Sequence, residues 1–418
     1  MKIFRISIPF WQHWLQILDQ HPNLISKTWS EQQQIISENW FGYPPNWKAA
    51  FEPLGYEVTE AFVNIDQLQR KWVNDHQYAF KQDHWLIDIV EAQIVHEKPD
   101  ILFLADTSRF SAEWINEIKE KCPSIKLVAA WCGVPWKDSS IFKACDLVLS
   151  CIPELVEKFN QAGCCGRHVN HAFDNRLLNK LNSSVTPTID FSFVGNINRN
   201  NTFHLERDYI LERIVEFVNI EIYSPITNHK ETLTDLAKLA AKSSLYDVHT
   251  WLKKAPGIAT VAESLPIFKK VSQLPSKPRR RVNPKLKPYL KQPVYGLSMF
   301  EVLQSSKLTF NKHIDASPRS ASNLRLFEAT GVGTCLVTDH KDNIKLLFEP
   351  DHEVVTYKSA DECVEKVNWL LQHPKHRQAI AESGQRRTLN EHTLGHRAKS
   401  IDEIFKKALA QNTRTLRC

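Results

Sequence analysis

No run of 18 apolar residues occurs anywhere in the 418-residue sequence. That excludes a helix long enough to cross a bilayer. Met1–Trp14 has no charged leader, apolar stretch and small-residue cleavage site in series; Lys2 and Arg5 fall inside a strand-like alternation, so a secretory signal is not expected. There is no Cys-x-x-Cys pair, and the nine cysteines are scattered and odd in number. This pattern argues against a disulfide framework or a zinc site and for reduced thiols in a cytosol. No internal repeat and no long low-complexity segment is visible. What is present is ordinary soluble composition and a mild formal charge of +6. Such a charge suggests an anionic partner: a phosphate group, an acidic lipid surface or a nucleic acid.

The length allows two or three domains, each with its own core. In the first half, strand-like and helix-like segments alternate, which points to an α/β fold. Lys2–Pro9, Tyr56–Ala61, Ile101–Ala105, Lys126–Trp131 and Leu147–Cys151 read as strands. Trp47–Leu54, Ile65–His96, Ala112–Lys121, Ser139–Ala144 and Pro153–Gln161 read as helices. The short apolar run Ile101–Ala105 fits a strand buried on both faces of a parallel sheet. A polar segment, Asn175–Pro187, reads as an interdomain linker. A second α/β unit begins at Asp190. Between about 216 and 294 the pattern weakens, as in an insertion, and order returns at Met299–Leu303 and Leu308–Asn311. The closing helices, Ala360–Gln372, Gln378–Leu389 and Gly395–Ala410, are amphipathic.

Four constellations stand out. Phe193-Val194-Gly195-Asn196-Ile197-Asn198-Arg199 ends a strand in glycine and follows it with a polar turn. Gly195 permits close approach to a ligand, and free N–H groups near Asn198 together with Arg199 suit a pyrophosphate; a plain β-turn with a solvated arginine is the other reading. Asn311-Lys312-His313 lies at the carboxyl end of a strand, the edge that faces the ligand crevice of an open sheet. Asn323, Arg325 and Glu328 share neighbouring helical positions, so Arg325 and Glu328 either serve a ligand or pair with one another. Asp339–Asn343 precedes the short helix Ile344–Phe348, with Asp342 or Asn343 as its cap.

The stretch Ser322–Asp339, the later Leu347–Pro350, Tyr357, Trp369–Pro374, Gly384–Arg387 and His392-Thr393 together resemble the second half of GT-B glycosyltransferases. The group-1-like bacterial branch with the CgeB-type proteins is the most similar. The phrases Tyr295–Met299 and Phe310–His313 fit the same pattern. In the first half Leu54–Val58, Asn64, Leu68-Gln69, Trp72, Gln93 and Lys98–Asp100 match more loosely, and Phe41–Asn46 departs from the Ser-Asp pattern expected there. The resemblance implies two Rossmann-like doubly wound domains facing a cleft. The acceptor domain would span 1–175. The nucleotide-sugar domain would span 188–395, with its insertion at about 216–294, and a helix over 396–418 would cross back to the first domain.

It also implies a transferase moving a sugar from a nucleotide-activated donor to an acceptor hydroxyl on a glycan, a lipid-linked molecule or a protein surface. Gly195, Asn198, Arg199, Lys312, Asn323, Arg325 and Glu328 would hold the donor. Glu328 matches the second glutamate of a Glu-x7-Glu pattern, the one associated with ribose, while the first position is Ser320. His13, Asp106 and His313 are the candidate catalytic groups, since each follows a strand on the cleft edge. No Asp-x-Asp occurs, so no metal and no other cofactor is expected beyond the donor substrate. Gly331 and Gly333 would permit the turn between helix and strand.

The basic, proline-studded run 277–291 is a solvated loop or a peripheral contact for the inner membrane face; nucleic acid is the less favoured partner. The expected location is the cytoplasm. Two other readings remain open. One is a non-catalytic GT-B-like protein that docks to an anionic polymer or to another transferase. The other is an epimerase acting on a nucleotide sugar, which needs no acceptor.

Overall fold

The computed structural model describes residues 1–182, 184–199, 205–228, 232–253, 266–272, 274 and 277–415. The apolar runs of the first half become β1 (Lys2–Ser7), β2 (Glu57–Phe62), β3 (Ile101–Leu104), β4 (Leu127–Trp131), β5 (Leu147–Ser150) and β6 (Gly166–His168). All pair parallel, in the order β2-β1-β3-β4-β5-β6. The central strands are buried on both faces. Leu102, Leu104 and Val128 enter one core, and Ile101, Phe103 and Leu127 enter the other. A parallel sheet covered by helices on both sides requires such unbroken apolar runs.

The second half repeats the scheme with β7 (Ile189–Val194), β8 (Glu221–Tyr223), β9 (Leu290–Lys291), β10 (Ser306–Asn311), β11 (Cys335–Asp339) and β12 (Val355–Tyr357). Their order is β12-β11-β10-β7-β8-β9, again parallel. Each order reverses once. The first sheet switches between β1 and β3, the second between β7 and β10. At a switch point the connections leave in opposite directions and open a crevice beyond the carboxyl ends.

Several boundaries differ from the sequence reading. Ile65–His96 is two helices, Asp66–His76 and Trp85–Glu97. Gln77 takes a left-handed φ of 57° and stops the first. The segment 175–187 is not wholly a solvated linker, because Leu177 and Leu181 are buried beside Phe300 and Phe327. The weakly patterned region 216–294 contributes β8 and β9 to the second sheet, so the inserted part lies between them. Its long helix, Leu233–Leu252, is amphipathic and opens on a capping box at Thr232 and Asp235. Asn343 makes no helix cap; its side chain instead bonds both backbone groups of Ala321, at 2.6 and 3.3 Å.

The last helix, Leu394–Thr415, crosses to the first domain. Ile401 and Phe405 are buried there with Phe51 and Phe103, and Tyr56 Oη donates to Asp402 Oδ1 at 2.8 Å. The two crossings of the chain lie side by side: Phe173 N–H donates to His392 O and Leu394 N–H to Phe173 O, both at 2.8 Å. Phe173 is fully buried, and a Cβ at Gly331 would collide with its ring. Gly333 has the left-handed φ, +82°, that the turn into β11 needs. Gly331 is instead a packing glycine. Gly331→Ala is expected to destabilise the fold by about 1–3 kcal/mol. Chemical denaturation checks this; an unchanged midpoint would mean that Phe173 has room to move.

Candidate functional site

A cleft of about 450 Å³ lies between the two sheets, lined from both domains. From the first domain come Phe10, Gln12, His13, Gly42 and Tyr43, which follow β1 or lie on the loop after the helix Trp29–Asn39. From the second come Phe193, Gly195, Asn196, Arg207 and Asn311, at the ends of β7 and β10, together with Tyr295, Gly296, Met299, Asn323, Arg325 and Glu328. The cleft therefore opens where the carboxyl ends of both sheets face one another.

Arg207 is the residue that the sequence reading missed. It lines the cleft from the helix Leu205–Ile214, which follows the Gly195 turn. Its guanidinium donates to the carbonyls of Asn196 and Lys312, both at 2.7 Å, and Nε has no partner. The cation sits over the Phe193 ring at 5.5 Å. No carboxylate among the described residues forms an ion pair with it. Burial lowers its pKa to about 10, so it stays charged at neutral pH. A buried cation without a counter-ion is costly unless something anionic joins it. The sequence did carry a signal. Arg207 shares the i, i+4, i+7 face of the fully buried Leu211 and Ile214, where a charge is out of place.

Arg325 and Glu328 are one turn apart in the helix Arg325–Gly331 and form an ion pair of 2.8 Å. Glu328 is 4% exposed. Burial raises its pKa, and Arg325 pulls it back. Both terminal nitrogens of Arg325 touch Met299 Sδ at 3.2 Å, and Nε is buried without a partner. Asn323 Nδ2 donates to Asn311 Oδ1 at 3.0 Å and to Lys312 O at 2.9 Å, which fixes the end of β10.

His13, Gly195, Asn323, Arg325 and Glu328 thus meet in one cleft. Five other candidates do not line it. Arg199 pairs with Asp208 at 2.8 Å, and Asn198 lies on the same turn. The Lys312 carbonyl accepts from Arg207 and Asn323, and its ammonium turns to Glu206 at 2.8 Å and Asp339 at 3.2 Å. His313 is fully buried, with Nδ1 2.7 Å from Asp339 Oδ1. His313, Lys312 and Lys341 hold the Asp339 carboxyl well below the usual range. His313 is therefore a structural partner of Asp339, out of reach of a cleft ligand. Asp106 follows β3 on the correct edge, and its Oδ1 accepts from Ser108 N at 2.7 Å. The basic run also presents less free charge than its sequence suggests. Lys277 pairs with Asp247, Lys285 with Glu212 and Glu216, and Lys291 with Glu221.

Two parallel sheets with facing switch points and a last helix returning to the first domain are the arrangement of one known fold. This is a GT-B fold. Residues 270–403 match the family model described as glycosyl transferase-like. A glycosyltransferase from Rickettsia africae superposes with a TM-score of 0.54 at 9% identity, over 98% of each chain. Anabaena HepE, solved in complex with UDP-glucose, gives 0.53 at 10% identity, over 97% of this chain and 100% of its own. Sucrose-phosphate synthase from Thermosynechococcus elongatus gives 0.51 at 9% identity, over 98% and 100%. Among curated proteins no sequence matches. The matched family segment covers the GT-B half that carries Arg325 and Glu328; Arg207 and the Gly195 turn lie before it. No helix of the described residues is long and apolar enough to cross a membrane.

Proposed function

We propose that this GT-B protein is a metal-independent glycosyltransferase that takes a nucleotide-diphosphate sugar as donor. The observation that carries the reading is Arg207, a buried cation that forms no ion pair with a carboxylate among the described residues, at the switch point of the second sheet and lining the interdomain cleft. A diphosphate supplies the missing charge. Gly195 leaves room for it, and Arg325 adds a second cation across the cleft. Glu328 accepts the ribose hydroxyls, and Tyr223 and Pro225 flank the base on the side beyond β8. That HepE, with the same fold, has been solved with UDP-glucose supports a donor of this class.

The acceptor enters on the side of Phe10, Gln12 and Tyr43. Its hydroxyl attacks the anomeric carbon. The new C–O bond forms as the bond to the diphosphate breaks, and the fixed cations stabilise the departing charge. His13 does not suit the role of general base in this reaction, because burial lowers its pKa to about 3. The hydroxyl's proton passes to Asp106, which follows β3 on that edge of the first sheet, or to the departing diphosphate. The acceptor is a glycan, a lipid-linked molecule or a protein surface. A lipid-linked one would place the enzyme at the inner membrane face, with the basic run 277–291 toward it.

The test is a thermal-shift screen of the purified protein against UDP, GDP, dTDP, CMP and their sugar conjugates, without added metal. A ligand that binds only the native state raises the melting temperature. One nucleotide should stand out. No shift with any, in a protein that melts cooperatively, would favour the non-catalytic alternative. With the nucleotide identified, Glu328→Gln should weaken its binding about tenfold, the loss of one charge-assisted hydrogen bond, while the fold is kept. Unchanged affinity would remove Glu328 from the ribose.

A further inference from the structure

The two sides of the cleft differ in charge. Among the described residues, the charged side chains that line it, Arg207, Arg325 and Glu328, all belong to the second domain. The first domain contributes Phe10, Gln12, His13, Gly42 and Tyr43. None of these is charged at neutral pH, since burial keeps the His13 ring neutral. Three aromatic rings gather on this side. The Phe10 centroid lies 5.8 Å from that of Tyr43 and 6.2 Å from that of Tyr295, and its plane is tilted 46° to each. Tyr295 comes from the second domain, so the cluster bridges the cleft. None of the three rings joins a hydrophobic core. Phe10 is 53% exposed, Tyr43 38%, and Tyr295 is half-buried. Rings that line a cleft and stay open to water, with a few polar groups beside them, are the composition of a ligand surface.

We propose that Phe10, Tyr43 and Tyr295 form the platform for the acceptor, and that the group seated on it is an uncharged sugar residue. The proposal rests on the transferase reading above and names the acceptor class for it. A pyranose has a face of C–H groups and a rim of hydroxyls. The face lies on the rings, and the rim meets the Gln12 amide and the two phenols. The phosphate of a lipid-linked acceptor would find no cation on this side. An aliphatic chain would cover the amide and the phenols without bonding them, which is costly. The platform also adjoins the donor residues. A Cβ on Gly42, next to Tyr43, would lie 3.5 Å from Met299 Cε and 3.9 Å from Glu328 Oε1.

Saturation-transfer NMR on the full chain tests the platform, with and without UDP. The probes are the methyl glycosides of glucose, galactose, mannose and N-acetylglucosamine, the disaccharides cellobiose and lactose, and decyl phosphate as the lipid probe. At least one saccharide should receive saturation, strongest at the C–H protons of one ring face. Phe10→Ala and Tyr295→Ala should each weaken its binding about three- to tenfold, the worth of one aromatic contact. Phe10→Tyr and Tyr295→Phe keep the rings and should keep the binding. Because Phe10 is exposed, its truncation should leave the melting temperature near that of wild type.

The idea fails if no saccharide receives saturation from wild type, if decyl phosphate does so in their place, or if both alanine variants melt cooperatively and bind the saccharide as wild type does. Wild type that binds a nucleotide and no saccharide would overturn the platform and leave the donor reading standing. Wild type that binds a saccharide through these rings and no nucleotide would refute the donor reading and leave the sugar platform standing.

Discussion

Arg207→Met is expected to weaken nucleotide-diphosphate binding roughly a hundredfold or more and to leave the melting temperature close to that of wild type. The two halves of this expectation have separate physical causes. Truncating a buried group that makes charge-assisted hydrogen bonds to a ligand typically costs about 2–5 kcal/mol of binding. The fold, by contrast, gains little from Arg207. Two carbonyls hold the guanidinium, and among the described residues no carboxylate reaches ion-pair distance of it, although Asp315 and Asp339 act on it from farther away. Replacing a buried charge with an apolar side chain of similar length is often neutral for stability or better. Arg207→Lys should not restore binding, because one ammonium cannot hold both carbonyls in the fork geometry and still face an anion. Isothermal titration with the nucleotide found by thermal shift, beside a melting curve, reads both halves. A variant that loses stability but keeps its affinity would make Arg207 a structural residue.

The second large effect is a loss of stability below pH 6.5. His13 and His392 are buried at 2% and 4% exposure, and burial lowers their pKa values from 6.5 to about 3 and about 4. His392 is fixed as the neutral form by its surroundings. Arg397 donates to its Nδ1 at 2.7 Å, and its Nε2 lies 2.9 Å from the Leu347 carbonyl, so Nε2 carries the proton. Protonating Nδ1 would set two donors against each other. In the unfolded chain these rings take up protons as the pH falls below 6.5, whereas in the folded protein they do not. The stability they allow is therefore complete above 6.5 and is lost progressively as the pH falls toward the folded values. At pH 5 the loss is about 2 kcal/mol for each histidine, before any discount for partial solvation.

His313, also lowered by burial, adds in the same direction. Asp339 does not contribute in this window. Its folded pKa lies well below the usual carboxylate range, so its stabilisation is lost only in stronger acid. Calorimetry at pH 7.5 and pH 5 should show each transition fall by roughly 4–8 °C. His392→Gln should flatten the dependence, since it removes one of the titrating groups. A melting temperature independent of pH over this range would mean that the rings titrate freely in the folded state.

The strands and helices were legible because their signals are local. Ile101–Leu104 and Leu147–Ser150 are short, wholly apolar runs, and a strand buried on both faces is the way to satisfy them. Ala112–Lys121 and Pro153–Gln161 begin and end where their cap, proline and glycine signals lie. The motif around Arg325 and Glu328 identified the half of the chain that matches the family model. The break at Gln77 was not legible, because a left-handed glutamine has no compositional mark.

The sequence by itself determined two α/β domains with parallel sheets and the strand ends at which a ligand site had to form, while its resemblance to GT-B proteins implied the helix that joins the domains again. Tertiary structure alone decided which side chains face that site. Arg199 and Lys312 seemed the natural cations, yet each is neutralised by a carboxylate that approaches from another element, Asp208 in one case and Glu206 with Asp339 in the other. Arg207 seemed a helix residue like any other, yet among the described residues no carboxylate forms an ion pair with it. Charge along a chain can be read residue by residue. Whether a charge is left for a ligand depends on what other segments bring within a few ångströms of it, and that is settled only when the sheets close on one another.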